Sequence, residues 1–94
     1  ETTRKFAKAY FTRNKEDLSL YLNESVKVQV YENDIWDNLD HFVLKWNPEN
    51  IYKEGPIIVQ YEFRQKEDTS NTYLGIELEK ISDEWKVNAY YIEK

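Results

Sequence analysis

Residues 84–94, EWKVNAYYIEK, decide how this chain is read. Trp85, Val87, Ala89 and Tyr91 alternate with Lys86, Asn88, Tyr90 and Ile92, the two-residue repeat of a strand that turns successive side chains to opposite faces of a sheet. The first set is taken as the inner face, because it carries the larger apolar load. The strand then closes a sheet whose inner face is core and grips a helix.

Working back along the chain, the same repeat recurs. Ser82-Asp83-Glu84 is a tight turn, and before it Leu74, Ile76 and Leu78 alternate with Glu77 and Glu79. Gly75 inside this strand suggests a bulge or a sharp bend. Ile57, Val59, Tyr61 and Phe63 point inward in the clearest strand, with Gln60, Glu62 and Arg64 outward. Glu54-Gly55-Pro56 is a turn signal, and Asn47-Pro48-Glu49 kinks or bulges the run that starts with Phe42, Leu44 and Trp46 and resumes at Ile51 and Tyr52. Val26, Val28 and Val30 read as an earlier strand.

The period changes near the start. Phe6, Ala7, Tyr10 and Phe11 recur at helical spacing, capped by Thr2 or Thr3 and running to about Arg13. Leu18, Tyr21 and Leu22 predict a second short helix, and Ile35, Trp36 and Leu39 a third. Two helices, a strand, a short helix and a meander of strands predict an α+β fold: helices packed on one face of an antiparallel sheet.

Composition agrees with one ordered domain over residues 1–94. Apolar residues make up 40% and aromatics 16%, with only two glycines and two prolines. The net charge of −5, from 18 acidic and 13 basic residues, offers no basic stripe for phosphates, so nucleic acid is not an expected partner. The chain has no cysteine, which excludes disulfide, thiolate and zinc–cysteine chemistry. No apolar run reaches the roughly 18 residues of a membrane span.

Element order and local texture, in FAKAYFTRNKEDLSLYL (6–22), IIVQYEF (57–63) and LEKISDEWKVNAYYIEK (78–94), resemble the NTF2-like, or cystatin-like, α+β cone. The texture is most similar to small domains of Gram-positive lipoproteins and secretion-linked membrane proteins. The resemblance implies N-terminal helices lying in the concave face of a strongly bent sheet. It also implies an extracytoplasmic domain, joined to a membrane only through an anchor that precedes residue 1; a cytoplasmic setting stays open.

Enzymes of this superfamily place an acid, a base or a hydrogen-bonding tyrosine deep in the cone. The inward set read here holds no carboxylate, histidine or lysine; an enzyme of the isomerase or dehydratase kind would need a register slipped by one residue to bring Glu62 or Glu77 inside. The inner hydroxyls are Tyr61 and Tyr91, with Tyr10 from the first helix. They either line a small apolar pocket for a ligand or fill core with their hydroxyls satisfied at its rim. Asp34, Asp37 and His41 share a stripe if the helix continues, though three polar residues on a short helix also suit a solvated face, and no metal or cofactor is expected. On the outer face the alternation places Tyr31, Ile58, Tyr90 and Ile92, with Tyr73 near the rim. Such a patch suits a non-enzymatic interaction or accessory domain that pairs with itself or with another protein through its sheet. A small-molecule binder using Tyr10, Tyr61 and Tyr91 is the alternative.

Overall fold

The computed structural model describes residues 2–46 and 57–94, with Trp46 described by its backbone alone. The readings placed on Asn47-Pro48-Glu49, Ile51, Tyr52 and Glu54-Gly55-Pro56 lie outside these residues. Helix α1 (Thr2–Phe11) and helix α2 (Lys15–Tyr21) precede a one-turn 3-10 helix (Trp36–Asn38) and four strands. These are β1 (Leu39–Trp46), β2 (Ile57–Gln65), β3 (Thr72–Ile81) and β4 (Glu84–Glu93), paired antiparallel in the order β1-β2-β3-β4. The fold is α+β, two helices against one face of an open antiparallel sheet.

Helix α1 ends because Arg13 takes the left-handed conformation, φ 60°. The Asn14 N–H then bonds back to the Ala9 carbonyl at 2.9 Å, and the Arg13 N–H to that of Tyr10 at 3.4 Å, the Schellman pattern that satisfies last-turn carbonyls. Asn14 at once caps α2, its side-chain oxygen accepting from the Asp17 N–H at 3.1 Å. Thr3 does not cap. It lies inside the first turn, buried, with its hydroxyl 2.8 Å from that of Tyr61.

The core is the apolar face of α1 against the inner face of the sheet. Phe6, Ala7, Phe11, Leu18, Leu74, Ile76 and Val87 are fully buried, and Ile57, Val59, Tyr61 and Phe63 line β2 as the alternation requires. Ring contacts join the two layers: Phe11 with Phe63 at 4.8 Å between centroids and Phe6 edge-on to Tyr90 at 5.2 Å.

Two corrections follow from the pairing. The segment with Val26, Val28 and Val30 is no strand. It leaves α2 through a single parallel bridge, Leu22 to Val87, turns with the Val26 N–H on the Asn23 carbonyl, and crosses toward the C-terminal end of α1. There the Tyr31 and Ile35 N–H groups bond the Tyr10 and Phe11 carbonyls at 3.2 and 3.0 Å, and the Arg13 guanidinium holds the Tyr31 carbonyl. The Tyr10 carbonyl thus gains a second, shorter bond beside the one from Arg13, and the Phe11 carbonyl at the helix end is satisfied by Ile35. Val26 and Val30 pack on the core while Val28 is exposed.

The second correction concerns β4. Glu77 pairs with Ala89 but Leu78 pairs with Val87, so Asn88 is an extra residue in β4. Such a bulge reverses the alternation beyond it. Trp85 and Val87 face inward as expected, but thereafter Tyr90 and Ile92 pack on the core, and Ala89 and Tyr91 face out. Asn88 is fixed by accepting from the Asn23 side-chain amide and donating to Glu79, each at 2.9 Å. Ser82 and Asp83, both with positive φ, make the two-residue hairpin from β3 into β4.

Candidate functional site

All described helices lie on the inner side of the sheet, so its outer face is left uncovered by any described element. By pairing, and for Lys45 by its contact with Glu62, it includes His41, Val43 and Lys45 on β1; Ile58, Gln60, Glu62 and Arg64 on β2; Tyr73, Gly75, Glu77 and Glu79 on β3; and Lys86, Ala89, Tyr91 and Glu93 on β4. Val43, Ile58 and Tyr91 are 44%, 41% and 42% exposed, large apolar surfaces on three of the four strands.

Among them lies a carboxylate that is nearly covered. The Glu62 side chain is only 11% exposed, and its Oε1 is 2.8 Å from His41 Nε2. An ionised carboxylate only accepts, so this contact requires the proton on Nε2. Lys45 Nζ lies 4.0 Å from the second carboxylate oxygen. The His41 hydrogen bond, then one from the Tyr73 hydroxyl, hold the Glu62 carboxyl below the usual carboxylate range, and the same bond raises Tyr73. The cluster lies on an open sheet rather than in a cleft. It braces strands β1, β2 and β3 and keeps a charge fixed among apolar neighbours.

The inner tyrosines do something else. Tyr10 is buried in a group of rings, edge-on to Tyr31 and Tyr90 at 5.6 and 5.4 Å and beside Phe11 at 5.2 Å. Burial first, then the neighbouring Tyr90 and Tyr31, push its phenol up to about 12. Tyr61 is stacked on Phe42 at 4.5 Å, 12° from parallel, with its hydroxyl on Thr3. Tyr91 is on the opposite side of the sheet, so the three residues expected to line one pocket are not brought together. Three surface depressions, by residues 65–69, by Leu20, Ile81 and Lys86, and by Lys8, Asn14 and Tyr21, are lined without them.

Of the residues expected on the outer face, Ile58 and Tyr73 are there. Tyr31 lies against Tyr10, Phe11 and Phe63, and Ile92 packs on the core. Tyr90 sends its hydroxyl past the sheet edge, where it accepts from the Gln29 N–H at 3.0 Å and donates to the Gln29 carbonyl at 2.8 Å, with that of Lys27 at 3.2 Å. Asp34 and Asp37 are exposed, whereas His41 turns to Glu62, so the stripe expected of these three is broken. Sequence reasoning missed Val43 and the Glu62 cluster; finding them requires the β1–β2 register, which pairs Val43 with Glu62 and His41 with Arg64.

Among the described residues no helix is long and apolar enough to cross a membrane. Comparison with protein-family models, with curated proteins and with solved structures finds no match.

Proposed function

We propose that this chain is a non-enzymatic protein-interaction domain that associates with a second copy of itself through the outer face of its sheet. The observation that carries this reading is the exposure of Val43, Ile58 and Tyr91 together on a face with no described cover. Large apolar side chains exposed on three strands of one uncovered face favour a contact surface. The ordering of Glu62 by three neighbours supports it as well, since a charge held in place adds little further entropy cost when a partner arrives.

The element order supports assignment to the NTF2-like cone, and an extracytoplasmic, tethered setting rests on that likeness alone. A small apolar ligand between α1 and the sheet is the weaker reading, because rings fill that space and Tyr91 is not part of it.

Light scattering coupled to size exclusion over a range of concentrations tests the proposal. The unaltered chain should form dimers that Ile58→Glu with Tyr91→Lys disrupts while far-ultraviolet circular dichroism stays unchanged. A dimer that survives both substitutions, or a monomer at every concentration, removes it.

A further inference from the structure

The outer face is electrostatically divided, and the division selects how two copies meet. The β1–β2 half carries Lys45 and Arg64 against the single, internally bonded carboxylate of Glu62. The β3–β4 half carries Glu77, Glu79 and Glu93. Lys86 shares this half by register, but its ammonium is turned to the sheet edge, donating to the Leu20 carbonyl at 3.0 Å beside Glu84. The halves are therefore weakly basic and distinctly acidic.

Two sheets packed face to face in the aligned class keep their strands within about 30° of one another, and that class overlaps the full length of four strands of this size. An isologous pair can do this in two ways. A two-fold axis perpendicular to the strands sets β1 over β1, like charge over like. An axis parallel to the strands sets β1 of one copy over β4 of the other, bringing each basic half over an acidic half. Resting on the self-association proposed above, we infer that the partner is a second copy in this crossed arrangement, with Lys45 and Arg64 of one copy facing the Glu93 side of the other. Four strands about 4.8 Å apart and about 30 Å long present roughly 500 Å² in projection, more with side-chain relief. A standard interface takes about 800 Å² from each partner, so the whole face is engaged and both charge halves are included.

Charge exchange tests the arrangement. Lys45→Glu with Arg64→Glu makes the face acidic throughout, and Glu77→Lys with Glu93→Lys makes it basic. Each variant alone should self-associate more weakly by roughly tenfold or more, because like charges then oppose across the contact. An equimolar mixture, read by native mass spectrometry, should form heterodimers in preference to either homodimer, and the chain with all four substitutions should dimerise again. Heterodimer recovery also shows that both variants are folded. If the variants self-associate as the unaltered chain does, or the mixture stays monomeric, the crossed arrangement is wrong; an unaltered dimer that Ile58→Glu with Tyr91→Lys still disrupts would leave the broader reading standing. A monomeric unaltered chain defeats both.

Discussion

The ring of Tyr91 lies across Gly75. A Cβ placed on that glycine would stand 2.1 Å from Tyr91 Cζ and 2.5 Å from the hydroxyl oxygen. The two residues are directly paired on β3 and β4. Gly75 is there for close approach and marks no bulge; the bulge is at Asn88 on the adjacent strand. The aromatic ring in turn covers backbone that a strand glycine leaves bare.

The pair should behave as a unit. Gly75→Ala alone should change stability by less than about 1 kcal/mol, because the lower entropy cost of alanine in a strand offsets the displaced ring. In a Tyr91→Ala background the same substitution should stabilise, giving a coupling of about 0.5–1 kcal/mol in a double-mutant cycle by urea denaturation. Additive effects would show that the ring does not rest on the glycine.

Deleting Asn88 removes the phase reversal in β4. Tyr90 and Ile92 would then turn out and Ala89 and Tyr91 in, replacing the Tyr90 ring on α1 and the Ile92 packing with a small side chain and a misplaced ring. A loss of at least about 3 kcal/mol, or failure to fold, is expected. Asn88→Ala keeps the extra residue and loses two side-chain bonds, for a cost of about 1 kcal/mol. Equal effects of the two changes would argue against the bulge.

Tyr90→Phe preserves the ring contacts with Phe6 and Tyr10 and removes the hydroxyl that holds Lys27 and Gln29. The cost should be about 1–2 kcal/mol. Hydrogen exchange should be accelerated at the Gln29 amide and nearly unchanged in β2 and β3.

Glu62 sets an acid limit. Its folded carboxyl is held below the ordinary value of 4.5, chiefly by the His41 hydrogen bond. The unfolded chain therefore binds the proton first as pH falls. The contribution of Glu62 is fully present above the ordinary carboxylate value and is lost as pH falls through the depressed one. Denaturation of the unaltered chain and of Glu62→Gln, compared between pH 6 and pH 2 (~4 units, bracketing ordinary carboxylates), should show a steeper acid loss in the former. Parallel profiles would mean that Glu62 is not so held.

Most of the layering was legible because it is periodic. Phe6, Ala7, Tyr10 and Phe11 mark a helical stripe, and Ile57 to Phe63 mark a strand, each without help from its neighbours in space. The face of β4 was not legible past Asn88. Tyr90 and Tyr91 are adjacent and chemically alike, so alternation cannot rank them, and a bulge is defined by the partner strand. Val26, Val28 and Val30 have β-branched character, but a strand also needs a ladder, and this segment gives the N–H groups of Val26, Gln29 and Tyr31 to a turn, to the Tyr90 hydroxyl and to the end of α1. The outer-face cluster fell beyond reach for the same reason: His41 and Glu62 are 21 residues apart, and only the pairing of β1 with β2 makes them neighbours.

The parallel bridge from Leu22 to Val87, with the bond from Lys86 to Leu20 across 66 residues, sets the order in which the core can close. Strands β2 to β4 meet their neighbours through short connections, and such local pairings form early. The helices have no partner close in sequence: Phe11 rests on Phe63 of β2, and Phe6 and Tyr10 rest on Tyr90 of the final strand. Phe11 and Thr3 can meet Phe63 and Tyr61 once β2 has formed, but a chain emerging from the ribosome leaves Phe6 and Tyr10 without their Tyr90 cover until β4 has followed the rest of the sheet out. Docking of first elements on last is a long-range closure, and it is where a slow step in folding, and transient exposure of the aromatic core, would arise.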